Sequence, residues 1–157
     1  MNPLAHIWKA LWLVIVLGVP ASMVRAQPAV TLRGGNQTIT ITTGVAGGQP
    51  TPVINTTTRM DYRRRLVPTK ITVSTICPGQ SFTLKVLATG VPVGIPAPEV
   101  TLVSGMIATD FITGIPAGTS VRQRCRLRYT ASSTFSQGNS TEFGNDVHTV
   151  TYTMVAQ

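Results

Sequence analysis

Acidic side chains are scarce in this sequence. Five Asp and Glu stand against thirteen Lys and Arg in 157 residues, a formal charge of +8 at pH 7. Acid/base catalysis therefore has few carboxylates to draw on, and anionic partners are favoured. Charged residues of both signs make up only 11%, against about 25% in an ordinary soluble domain. Hydrophobic residues still reach 43%, which supplies a core and excludes a disordered chain. A two-domain enzyme is excluded by length. No Cys/His metal spacing, G-x-S-x-G elbow, H-E-x-x-H helix, Gly-rich phosphate loop or paired aromatic stacking motif occurs. The last absence disfavours specific nucleic-acid recognition.

Only one long apolar run is present, at 10–19 (ALWLVIVLGV), preceded by Lys9 and ended by Pro20. Ten strongly apolar residues fall short of the roughly 20 that span a bilayer as a helix. With Val24, Arg25 and Ala26 behind it, the run reads as an export signal cut after Ala26, a cut after Ala21 being the alternative. No Cys follows the run, so a lipid-modified N-terminus is not indicated. The expected division is a signal peptide over 1–26 and one domain over 27–157, placed outside the cell, in a periplasm or at the cell surface, with no transmembrane segment after cleavage. Both cysteines, Cys77 and Cys125, fall in that domain, and an even count in an oxidising compartment predicts a disulfide between them. A catalytic thiol paired with His148 is the alternative, and no local motif supports it.

The domain reads as strands. Gly and Pro punctuate it, and no apolar period of 3.6 persists beyond one turn. Residues alternate with a period of 2 at 38–42, 70–75, 81–88, 99–103, 121–129 and 147–155, with 55–66 a further strand through Met60, Tyr62 and Leu66. Breakers separate these runs at 47–50, 77–79, 94–98, 114–118 and 138–139. About seven strands so spaced predict an all-β fold, an antiparallel immunoglobulin-like β-sandwich, with a small barrel as runner-up.

The most distinctive stretch is 121–129 (VRQRCRLRY), where Arg122, Arg124, Arg126 and Arg128 alternate with mostly apolar residues. All four guanidinium groups share one strand face, and no run of acids is available to neutralise them. Arg63, Arg64 and Arg65 extend the basic surface, together with Arg59 and Lys70. Arginine offers a planar bidentate fork to phosphate, sulfate or carboxylate, so the stripe is a candidate polyanion-binding site; the competing reading is a solvated outer face. Asp146 and His148 alternate on one face of the last strand, where such a pair could orient an imidazole or, with Asn145, hold a weakly bound metal ion. Without an accompanying motif they read as a turn leading into a strand, and no catalytic residue, metal or cofactor is implied. Sequons at Asn36, Asn55 and Asn139 matter only in a host that glycosylates them.

The export signal, the Thr-rich sandwich, the expected disulfide and the alternating end 149–155 (TVTYTMV) resemble secreted bacterial fimbrial subunits and spore coat protein U-like domains. The resemblance implies a non-enzymatic exported structural subunit of a surface, matrix or filament assembly, with self-association or related surface subunits as partners. The residues suggest one assembly device. Val30, Leu32, Ile39 and Ile41 alternate within 27–45, a segment able to serve as an exchangeable N-terminal strand, the competing reading being the first strand of its own sandwich, since terminal strands usually pair locally. The alternative function is a monomeric secreted module binding anionic glycans, lipids or extracellular DNA through the arginine face.

Overall fold

The computed structural model describes residues 29–42, 48–137 and 144–157. The signal expected over 1–26 lies outside the described residues. Among the described residues ten strands form two antiparallel sheets, and the only helical element is a 3-10 turn at Phe135–Gln137. The strands are β1 (Val30–Arg33), β2 (Val53–Asn55), β3 (Arg59–Arg63), β4 (Thr69–Ile76), β5 (Thr83–Thr89), β6 (Ile95–Pro96), β7 (Val100–Leu102), β8 (Thr109–Ile115), β9 (Arg122–Ser132) and β10 (Thr149–Ala156). The larger sheet runs β1-β3-β9-β5-β7, with β2 also paired to β9; the smaller runs β10-β4-β8-β6.

Alternation decides what each strand buries. In β9, Cys125, Leu127 and Tyr129 turn inward while the arginines turn out. Met60 and Tyr62 of β3 and Val86 and Ala88 of β5 join them from the larger sheet; Ile71, Val73, Phe111, Ile112 and Ile115 face them from the smaller one, and the two sets make one core. A hydrogen bond ties the two sheets across it, and an aromatic pair packs within the smaller sheet beside that bond. Tyr129 Oη lies 2.9 Å from Tyr152 Oη, and the Phe111 and Tyr152 rings sit 5.2 Å apart at a tilt of 51°.

Four expectations are corrected. Residues 38–42 alternate but form no strand; 34–42 run as non-strand chain, in which Ile39 packs against the core. The strand expected over 55–66 is split, because the Asn55 side-chain oxygen accepts the Thr57 amide at 2.9 Å and turns the chain between β2 and β3. Leu66 lies beyond β3, fully in solvent at 90% exposure. The disulfide is absent: Cys77 and Cys125 are both free and buried. Cys77 follows β4 and sits beside the start of β5, whose Thr83 pairs with Ser132 at the far end of β9. Cys125 is seven residues back along β9, roughly 23 Å at about 3.3 Å per residue. A bridge tolerates Cα atoms only about 7 Å apart.

Candidate anion-binding face

The register of the larger sheet gathers the basic residues on its outer face. Arg59 stands opposite Arg126, Asp61 opposite Arg124 and Arg63 opposite Arg122; β1 adds Arg33 opposite Arg59, and β5 adds Lys85 in the row of Thr130. With Arg128, eight basic side chains share this face with two carboxylates, Asp61 and Glu99. The smaller sheet's outer face is different in kind. Thr72, Ser74, Thr149, Thr151 and Thr153 line it, with a single ion pair, Lys70 to Asp110 at 2.7 Å.

The expectation that nothing neutralises the arginines needs correcting at one end of the stripe. Asp61 is buried at 4% exposure on the same face, because β3 pairs with β9 in a register that sets it against Arg124. Its carboxylate accepts Arg124 Nε at 2.7 Å and Arg33 Nε at 2.7 Å, with Arg122 Nη1 at 3.7 Å. The Arg124 guanidinium, and then Arg33, hold the Asp61 carboxyl well below the usual range although burial opposes them. At the other end Glu99 lies 3.6 Å from Arg128 and 3.7 Å from Lys85.

Between these two acids the charge is uncompensated. Neither Arg59 nor Arg126 has a carboxylate partner among the described residues, and they border an open depression of about 340 Å³ with Thr89, Gly90, Arg124 and Cys125. Two exposed guanidinium groups on neighbouring strands, backed by Arg124, can grip one phosphate, sulfate or carboxylate by bidentate hydrogen bonds. Arg59 belonged to the sequence pattern only as one of a basic run; its position opposite Arg126 depends on a register that no local signal carries.

The other arginines singled out in the sequence are partly engaged. Arg63 donates to the Ser120 carbonyl at 3.0 Å, and Arg64 to the Ala117 carbonyl at 2.8 Å, pinning the loop between β8 and β9. Arg65 is exposed. Of the residues expected in an assembly strand, Val30 and Ile39 pack on the core, Ile41 is half-buried and Leu32 is 43% exposed.

The thiol reading of Cys77 meets an unexpected neighbourhood. Ile76 of β4 pairs with Thr149 of β10, so the residue after the one and the residue before the other, Cys77 and His148, come together. Burial, with the nearby Asp146 charge, pushes the Cys77 thiol up, and burial pushes His148 down. Both shifts run opposite to those of an activated thiolate–imidazolium pair. Among the described residues no helix is long and apolar enough to cross a membrane. No family model, curated protein or solved structure matches the chain.

Proposed function

We propose that the chain is a non-enzymatic, exported binding module that attaches to anionic glycans or lipid head groups through the outer face of its larger sheet. The carrying observation is the segregation of charge: the arginines crowd one sheet face, and threonines cover the other. The apolar run at 10–19 and the residues at 24–26 support export. The test is salt-dependent retention on heparin. Replacing Arg59 and Arg126 together by Gln is expected to lower the eluting salt concentration while leaving the circular dichroism unchanged, since neither residue holds a carboxylate. Unchanged retention would return the stripe to a solvated face.

The fold is read further as immunoglobulin-like. β4 pairs with β8 and β5 with β9, as strands B with E and C with F do in that fold. The flanks are exchanged: β3 from the N-terminal side occupies the place of G beside β9, and the C-terminal β10 the place of A beside β4. A second function, a fimbria-like or spore-coat-like subunit of a surface or filament assembly, is favoured by β1. This strand has four residues, pairs with β3 alone and forms a sheet edge.

A further inference from the structure

Cys77 Sγ, a carboxylate oxygen of Asp146 and an imidazole nitrogen of His148 all lie within 4.8 Å of one another. Donors held about 2.0–2.3 Å from a tetrahedral zinc ion stand roughly 3.3–3.8 Å apart, so small side-chain rotations bring these three into a coordination sphere. Two of the donors, Asp146 and His148, are oriented by hydrogen bonds. Asp146 accepts the Ser81 amide at 3.0 Å and the Phe82 amide at 2.8 Å. Thr75 Oγ1 is 3.2 Å from His148 Nδ1, and the Cys77 backbone amide donates to Ser104 Oγ at 2.9 Å. Supporting hydrogen bonds of this kind fix ligand direction in metal sites.

A second observation is independent of that geometry. Among the described residues, Asp61, Glu99 and Asp110 each have a basic partner; Asp146 has none, although the chain carries an excess of Lys and Arg. Among the described residues, no Lys or Arg side chain supplies the charge that would complement it.

We infer that Cys77, Asp146 and His148 form a binding site for a borderline-soft divalent cation of the zinc class. Thiolate and imidazole ligands select against calcium and magnesium, which take oxygen donors. Three protein ligands leave a coordination position for water or a further donor. Binding joins the lead-in of β10 to the turn between β4 and β5, two segments already linked by the Asp146 hydrogen bonds to the Ser81 and Phe82 amides.

The test uses the purified full chain, stripped with chelator and titrated with Zn²⁺ and with Co²⁺ as a spectroscopic substitute. One equivalent of metal is expected, with a thiolate-to-cobalt charge-transfer absorption and a raised melting temperature in Zn²⁺. Cys77→Ser is expected to abolish the absorption and weaken Zn²⁺ binding at least 100-fold, and His148→Ala to weaken it comparably. Thr75→Ala, which removes only an orienting partner, is expected to cost about tenfold. Cys125→Ser is expected to leave both the absorption and the affinity intact. Failure to take up stoichiometric metal, a charge-transfer band that survives Cys77→Ser, or one that vanishes in Cys125→Ser overturns the assignment. Asp146→Asn can disturb the turn at 81–82, so the isosteric Cys77→Ser variant, checked for native circular dichroism, carries the decision.

Discussion

Asp61 is the residue on which the arginine face depends. One buried carboxylate holds Arg33, Arg122 and Arg124 within 3.7 Å, on strands that otherwise bring like charges together. An unfolded aspartate titrates near about 3.9, whereas the folded carboxyl lies well lower because of Arg124 and Arg33. The unfolded chain therefore binds the proton first on acidification. The stabilisation is complete above about pH 4 and fades as pH falls towards the folded value. Asp61→Asn is expected to lower the urea midpoint at pH 7 and to flatten its decline below about pH 4. An acid limb identical to that of the parent protein would show that other carboxyls govern it. Leu127 tests the core at the same scale. It is fully buried, and Leu127→Ala is expected to cost about 2–5 kcal/mol in chemical denaturation through lost burial and a residual cavity. A cost below about 1 kcal/mol would mean that the site collapses around the smaller side chain.

Among the elements, those with clean alternation were legible in the sequence: β4, β5, β9 and β10 all follow the period-2 pattern. β8 was not. Its pairing with β4 shifts register between Ile71 and Thr72, so Phe111 and Ile112 are both buried in succession and the alternation is lost. Residues 38–42 show the converse, since a pattern of alternate isoleucines makes a strand only where another strand offers its backbone. The cysteines fail for a related reason: their even number and the expected export suggest a bridge, but register decides which end of the sandwich each occupies. Register likewise brings Cys77 to His148 and Arg59 to Arg126, pairs separated by long stretches of chain. A loop tests the packing of the smaller sheet. Gly94, before β6, has φ +99°, and a methyl group there would stand 2.7 Å from Ile112 Cγ2 and 2.9 Å from the Thr113 carbonyl oxygen. Gly94→Ala is expected to destabilise by roughly 2–4 kcal/mol, from left-handed backbone strain plus overpacking. Gly79→Ala, with φ +69° and open space, should cost only about 1–2 kcal/mol. Equal costs by thermal denaturation would assign the whole effect to backbone strain.

At the scale of the whole molecule the two faces make different offers to a partner, and net charge alone does not describe the protein. A chain at +8 is drawn weakly to any polyanion, whereas a patterned face binds in one orientation. Two double variants that remove the same charge separate these effects. Arg59→Gln with Arg126→Gln alters the uncompensated centre of the larger sheet. Arg65→Gln with Lys70→Gln alters an exposed loop residue and the cation of the threonine face, where Lys70 is already paired with Asp110. If the face binds, the first variant elutes from heparin at clearly lower salt, with a shallower dependence corresponding to about two fewer released counterions, and the second elutes close to the parent. If both shift by the same amount, retention follows total charge and the proposed face has no special role. Arginine stays protonated through this range, so the difference between the variants is expected to persist from about pH 6 to 9. A difference that disappears within that range would mean that a titrating group, rather than the arginine pair, controls retention.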